Sequence, residues 1–245
     1  MRRKLRRTAQ RLGLDIRRYG PQSSPVARRA SVMAGHGVDV VLDVGANRGQ
    51  YAGELRSAGY TERIVSFEPL AEPFEALSRE AKQDPRWRCL KLGLGASPSR
   101  STMHVAGNQA ASSSLLRMEG WIADAAPHQA YVGTEMVNVA RLDDVAPTLV
   151  GATDRMMLKL DVQGYELEVL RGGPSTLRRA EVLEAELSLV ALYEDQPLWR
   201  EIVDYLHQAG LELVCLDPNL HDDDGRLLQM DGIFARSRRL NSRGT

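Results

Sequence analysis

The sequence has little cysteine, no long apolar run and no net charge. Its two cysteines, Cys89 and Cys215, each sit inside an apolar stretch. Two such thiols supply neither a disulfide framework nor a cysteine-based zinc site, and they suit a reducing cytoplasm. No segment approaches the roughly 18 consecutive apolar residues of a spanning helix. The basic N-terminus is not followed by the apolar core of a signal peptide either. The chain is therefore expected to be neither exported nor membrane-spanning. What is present is an ordinary globular composition, 43% apolar and 26% charged over 245 residues. A fold of this length buries roughly 70–75% of the surface its extended chain exposes, so one domain with a substantial core needs no covalent staples.

The zero charge conceals a split. Residues 1–29 carry ten basic side chains against a single acid, Asp15, and the last ten residues add four arginines and no acid. Residues 30–235 hold 18 basic against 31 acidic side chains, a charge of −13. An acidic body does not suit general nucleic-acid binding, which needs a basic surface to neutralise phosphates. Within the first twenty residues Leu5, Ala9, Leu12 and Ile16 recur at helical spacing among arginines, and Gly20-Pro21 ends the pattern. This segment is either a cap on the main domain, an interfacial helix for anionic lipid or a lipid-carrying substrate, or a tail.

From residue 38 short apolar runs alternate with helical ones. Val38–Val44, Arg63–Phe67 and Trp87–Leu92 read as strands, with helices over Gln50–Ala58 and Ala71–Gln83 between them. This β-α-β-α-β order predicts a doubly wound, mostly parallel sheet of Rossmann type. Ser101–Ala106 and Glu135–Arg141 read as further strands around a serine-rich loop, Gly107–Gly120. Strand Arg155–Leu160, helix Tyr165–Arg171, strand Glu181–Leu189, helix Leu198–Ala209, and strands Leu211–Leu216 and Gln229–Ala235 complete an α/β order. The predicted organisation is a basic helical extension at 1–36, one domain at 37–236 and a basic tail at 237–245.

The densest chemical signal is Leu42-Asp43-Val44-Gly45-Ala46-Asn47-Arg48-Gly49, directly between a buried strand and a helix. Glycine suits a turn with positive φ and close ligand approach, and Asn47 tolerates the left-handed region. The helix N-terminus that follows is expected to offer unpaired N–H donors. A dinucleotide site prefers G-x-G-x-x-G, whereas the spacing here is Gly45-x-x-x-Gly49 with an acid before it. That acid, Asp43, suits a cationic ligand such as the amino-acid part of S-adenosylmethionine better than a pyrophosphate. Glu68 closes the next strand in Phe67-Glu68-Pro69, where an acid can accept both hydroxyls of a ribose. Asp43, Gly45, Asn47, Gly49 and Glu68 are thus the candidate cofactor residues.

Four ordered segments carry a resemblance. They are Leu42 to Tyr51, Phe67-Glu68-Pro69, Ser113-Ser114-Leu115, and Lys159-Leu160-Asp161-Val162-Gln163-Gly164-Tyr165-Glu166. With the closing Gln229-Met230-Asp231-Gly232-Ile233-Phe234, the chain over about residues 38–236 resembles the FkbM family of S-adenosylmethionine-dependent methyltransferases. The resemblance implies a class I methyltransferase fold and methyl transfer to oxygen, often a sugar hydroxyl of a glycolipid or other glycosylated metabolite. Gln163 departs from the pattern, because such sequences commonly carry Glu there.

Methyl transfer to an alcohol requires removal of its proton, by a base within reach or with help from a metal that acidifies the hydroxyl. Asp161, at the carboxyl edge of the strand Arg155–Leu160, is the foremost candidate base, with a helix cap as its other reading. Lys159 shares its strand face and can pair with it. Glu184 and Glu186 share one face of the next strand, and Glu186 is favoured as the second acid of the site. His104 and His221 are the remaining possible bases. His221 is read as lying in an acidic turn, Asp217–Asp224, whose Asp222-Asp223-Asp224-Gly225 does not complete an EF-hand. Ser113 and Ser114 are expected either to bind substrate or to belong to a mobile lid. An NAD-linked epimerase or dehydrogenase, or a non-catalytic partner with a nucleotide fold, are the alternative readings. The first of these usually uses a Tyr-x-x-x-Lys pair that this chain lacks.

Overall fold

The contiguous apolar runs become the buried strands of a parallel sheet. In the computed structural model, which describes residues 11, 13–14 and 18–237, helix α1 spans Pro25–His36. Ser24 caps it through Oγ, which accepts from Ala27 N, and Gly37 ends it in the left-handed region at φ 62°. There follow β1 (Val40–Val44), α2 (Gln50–Ser57), β2 (Arg63–Phe67), α3 (Ala71–Ala81) and β3 (Trp87–Leu90). The middle supplies β4 (Gly93–Gly95), β5 (Ser99–Ala106), α4 (Gly120–Ala125), β6 (Tyr131–Arg141) and α5 (Leu142–Val145). The last third runs β7 (Met156–Leu160), α6 (Glu166–Arg171), α7 (Pro174–Leu177), β8 (Ala180–Ser188), α8 (Trp199–Gln208), β9 (Leu211–His221) and β10 (Leu227–Arg236).

Seven strands form the main sheet in the order β3-β2-β1-β7-β8-β10-β9. All pairings are parallel except those of β10, which runs against both β8 and β9. Counted within this sheet alone, that is the 3-2-1-4-5-7-6 order with a reversed seventh strand that defines the class I methyltransferase fold. The sheet is covered on both faces, which is why its strands read as near-continuous apolar runs. Leu42, Val44, Leu158 and Leu160 pack with Leu167, Leu170, Ile202 and Leu206 on one face. Val41, Ile64, Met157 and Val182 pack with Met33 of α1 and Ala52 and Leu55 of α2 on the other. Removing one such fully buried leucine side chain, as in Leu158→Ala, costs about 2–5 kcal/mol.

Several predicted features take a different form. The strands at Ser101–Ala106 and Glu135–Arg141 leave the main sheet: β5 pairs antiparallel with β6, and β4 joins parallel on β6's other side. β9 continues to His221, so most of the supposed acidic turn is strand. The hairpin that remains is closed by Asp222 N donating to Arg226 O and Gly225 N to Asp222 O. Residues 25–36, placed by sequence in the N-terminal extension, are a helix whose Met33 is core. The amphipathic stripe Leu5, Ala9, Leu12 and Ile16 and the tail beyond Ser237 lie outside the described residues. Cys89 and Cys215 lie on β3 and β9, at opposite edges of the sheet. Among the described residues no helix is long and apolar enough to cross a membrane.

Candidate active site

Register places a row of polar side chains one step inside the carboxyl edge of the sheet. Ser66 on β2, Asp43 on β1, Lys159 on β7 and Glu184 on β8 stand side by side. Their positions continue the face that carries Val41, Ile64, Met157 and Val182, because side chains alternate along a strand. Above this row opens a cavity of about 400 Å³.

The turn after β1 forms one side. Gly45 has φ 78°, and a Cβ there would run into the carbonyl oxygen of Asp161, so β1 and β7 approach as closely as only glycine permits. Asn47 adopts φ 47° and lines the cavity. Gly49, at φ 94°, is away from the cavity wall; a Cβ on it would stand 2.7 Å from the Trp87 ring, so its role is to seat the turn on β3. Four N–H donors of the turn that leads into α2 are bonded within the protein. Gly45 N and Ala46 N donate to Phe67 O, Asn47 N to Glu68 Oε2, and Arg48 N to Asn47 Oδ1. A dinucleotide's pyrophosphate would need those donors, so the turn is not built for it.

Glu68 is on the cavity wall and 4% exposed. Its two oxygens accept from Asn47 N and Leu70 N, both at 2.9 Å. Burial nevertheless pushes its carboxyl up to about 7, against the pull of those two N–H groups. Each oxygen keeps a further lone pair for a ligand hydroxyl.

Asp43 departs from its sequence reading. It is fully buried beneath the cavity and off its wall. Ser66 Oγ donates to its Oδ2 at 2.9 Å, and Lys159 Nζ stands 3.5 Å from its Oδ1. Asp43 already has a cation, because its register partner on β7 is a lysine. Burial raises its pKa, with Lys159 pulling the other way. Lys159 also lies 3.3 Å from Asp161 Oδ2 and 5.1 Å above the Tyr51 ring. Burial works to lower the Lys159 pKa, but Asp161 and Asp43 outweigh it and hold the ammonium charged.

Asp161 lies on the cavity wall with its side chain 39% exposed. It is held from two sides, by Lys159 Nζ and by Gln163 Nε2 at 2.8 Å from its Oδ1. The loop carrying it is braced by Glu166, whose Oε1 accepts from Val162 N and Gly164 N. Burial pushes the Glu166 carboxyl up to about 7. Glu186 is partly buried behind this loop, away from the cavity wall, and meets Gln163 Nε2 at 3.0 Å. Burial raises its carboxyl well above the ordinary range, and Asp161, Glu166 and Asp231 add to the rise. Glu184, the acid passed over by sequence, does line the cavity. It is engaged by Arg29, whose Nε and Nη2 each reach it at 2.7 Å, and by Tyr51 OH at 2.9 Å.

The serine pair divides. Ser113 lines the cavity, and its Oγ accepts from Ala106 N at 3.0 Å. Ser114 is fully buried; its Oγ donates to Gln163 O at 2.6 Å and accepts from Leu116 N, so it faces the protein rather than a ligand. His104 stacks on Tyr131, with ring centroids 4.9 Å apart, on the strand face opposite Met103 of the cavity wall. His221 is exposed at the far end of β9. Neither histidine lines the cavity.

Three residues join the site without having been singled out by sequence. Asp231 of β10, opposite Glu186 in register, lines the cavity, and burial pushes its carboxyl up to about 6. Its signal was an acid within an apolar strand. Tyr193 is buried and donates to Gln163 Oε1 at 2.6 Å. Arg29 is buried although it belongs to a run of surface-like arginines, and nothing local distinguishes it. Among the described residues no three His, Cys, Asp or Glu side chains are placed to hold a metal ion together.

Strand order and a glycine turn followed by an acid on the next strand define a class I methyltransferase. The family model described as the methyltransferase FkbM domain matches residues 43–213. The chain belongs to that family and is a methyltransferase. The 2-O-methyltransferase NoeI of Sinorhizobium fredii is 28% identical over 187 residues, covering 73% of this chain and 74% of that protein. Among solved structures, magnesium protoporphyrin IX methyltransferase (ChlM) from Synechocystis PCC 6803 with bound SAM is similar at a TM-score of 0.49 and 10% identity, over 89% of this chain and 80% of that one. Fibrillarin of Aeropyrum pernix is similar at 0.47 and 12%, over 84% and 74%. The fold assignment rests on the strand order and not on these two likenesses.

Proposed function

We propose that this chain is an S-adenosylmethionine-dependent O-methyltransferase acting on a sugar hydroxyl of a glycolipid or other glycosylated metabolite. The observation that carries the reading is the placement of Asp161. It stands on the wall of the cavity that Glu68 also lines, and it is fixed by Lys159 and Gln163 with its side chain still open to a ligand.

The cavity fits the cofactor on three counts. Gly45 lets the turn after β1 close onto the Asp161 carbonyl, so that the two loops share one wall. Glu68 has spare acceptor capacity for ribose hydroxyls. Asp231 on the wall, whose charged neighbours are chiefly acids, suits a ligand with a cationic sulfonium and ammonium better than a polyphosphate. When bound, S-adenosylmethionine supplies an electrophilic methyl group. The protein's own part is to hold the acceptor oxygen in line and to take its proton, since in-line displacement gains chiefly from positioning. Asp161 is the base on this reading, and Lys159 offsets the charge of the carboxylates around it. Asp231, raised to about 6 on the same wall, is a further group able to accept a proton near neutral pH.

Oxygen as the acceptor atom is supported by the relative named as a 2-O-methyltransferase. The basic amphipathic pattern of residues 1–20 supports an acceptor held at a membrane surface on the cytoplasmic side. The test is mass spectrometry of glycolipid and glycoside extracts before and after deletion of the gene. The reading predicts that one glycosylated species becomes lighter by one methyl group. A change confined to peptides, nucleic acid or small phenols would refute the sugar acceptor.

A further inference from the structure

Asp161 and Glu186 meet at one nitrogen atom. Gln163 Nε2 donates to Asp161 Oδ1 at 2.8 Å and to Glu186 Oε2 at 3.0 Å. The orientation of the amide follows from chemistry, since the reverse would set its carbonyl oxygen against two carboxylates. Its Oε1 instead accepts from Tyr193 OH at 2.6 Å. Burial raises the Tyr193 pKa far above the ordinary value, so the phenol remains a donor. The backbone is fixed as well. Gln163 holds φ 54°, and its carbonyl accepts the Ser114 hydroxyl at 2.6 Å. Gly164 follows at φ 93°, and a Cβ there would stand 3.1 Å from the Tyr193 ring.

The charges that surround this point come from every neighbouring element. Asp161 and Lys159 come from the end of β7, Glu166 from α6, Glu184 from β8 beside Glu186, Asp231 from β10, and Tyr193 from the segment after β8. With Asp43 beside Lys159, six carboxyl groups thus gather around two cations, Lys159 and Arg29. A neutral residue with two N–H bonds is the one kind of side chain that can join two of these carboxylates without adding a charge. A glutamate at 163, which the resembling sequences commonly carry, would have the same shape and the opposite effect.

We propose that Gln163 is a positioning residue, whose amide holds the Asp161 carboxylate at the cavity wall and ties it to Glu186, with Tyr193 and Ser114 fixing the amide from behind. Within the serine-rich loop Ser114 then acts on the reaction through Gln163, while Ser113 lines the cavity itself. This inference rests on the proposed role of Asp161 as base, and its test does not use the reaction.

The experiment is a carbon-13 NMR titration of side-chain carboxyls from pH 4 to 9, on full-length protein labelled at Asp and Glu. Signals are assigned with Glu186→Gln and Asp161→Asn. Wild type is compared with Gln163→Met, Gln163→Glu and Tyr193→Phe, and wild type is titrated calorimetrically with S-adenosylmethionine in parallel. Removing two donors from the pair raises the midpoint of the Glu186 carboxyl by about one pH unit in Gln163→Met, more in Gln163→Glu and less in Tyr193→Phe. Tyr193→Phe removes one hydroxyl only, so it reports even if a Gln163 variant folds poorly. Midpoints that stay within about 0.3 unit of wild type in all variants overturn the proposal. Absence of cofactor heat in wild type overturns the methyltransferase reading instead, and leaves the carboxyl result standing.

Discussion

Replacing Glu68 by Gln tests the cofactor side of the site through stability, affinity and pH together. The two Glu68 oxygens accept from Asn47 N and Leu70 N. Glutamine keeps one acceptor oxygen, so its NH₂ must face the second N–H, donor against donor. A buried donor left unpaired costs about 1–3 kcal/mol, which thermal unfolding reads as a lower Tm. The same exchange removes the charge from hydrogen bonds to ribose hydroxyls, worth about 1.5–3 kcal/mol, or roughly 10- to 100-fold in Kd. The Glu68 carboxyl is raised from an ordinary 4.5 to about 7 by burial. Between those values the folded protein keeps a proton that the unfolded chain has released. Its contribution to stability is therefore full below about pH 4.5 and is lost as pH rises to about 7, on the order of 3 kcal/mol. Hydroxyl donors favour the ionised carboxylate, so cofactor binding expels that proton and affinity strengthens as pH rises through 7. Calorimetric titrations of S-adenosylmethionine at pH 6 and pH 8 measure both effects. Wild type binds more tightly at pH 8, and Glu68→Gln binds weakly with the pH dependence gone. A Glu68→Gln affinity within threefold of wild type, or a wild-type affinity that does not change with pH, refutes the ribose contact.

The other predictions concern the base, the buried ion pair and the N-terminal segment. Asp161→Asn preserves shape and one acceptor oxygen but removes the base, so kcat on the acceptor falls by about 10²- to 10⁴-fold while calorimetry shows cofactor affinity within about threefold of wild type. Arg29→Met leaves Glu184 buried without its guanidinium and lowers unfolding free energy by about 3–5 kcal/mol; adding Glu184→Gln recovers much of it, as chemical denaturation of the single and double variants measures. Deleting residues 1–20 lowers methylation of a glycolipid held in anionic vesicles while leaving cofactor affinity unchanged, and equal rates on vesicles for both forms would count against membrane docking.

What could be read in the sequence was what each segment decides locally. β1 and β2 are apolar along nearly their whole length because both faces are covered, so they read as strands at once. The turn at Gly45, and Glu68 at the end of β2, follow from backbone needs written in the chain itself. Asp43 was misread because its partner is set by register: Lys159 is 116 positions away and becomes its neighbour only when β1 pairs with β7. The same holds for Arg29, whose burial against Glu184 depends on α1 lying across the sheet. His221 was given to a turn because Asp217, Pro218 and Asn219 interrupt the apolar pattern of β9; it is an edge strand, where proline and exposed polar residues are tolerated. Gln163 stood out as a departure in charge, but its meaning needed Tyr193 and Glu186 beside it.

In the proposed reaction this cavity passes a methyl group from S-adenosylmethionine to a sugar oxygen. The most direct measurement is to incubate the protein with S-adenosylmethionine radiolabelled in the methyl group and with glycolipid and soluble glycan fractions, followed by acid hydrolysis and separation of the released monosaccharides. The proposed reaction gives label in an O-methylated monosaccharide with wild type and background with Asp161→Asn. Label recovered only outside the monosaccharides, or equal labelling by both proteins, would contradict it.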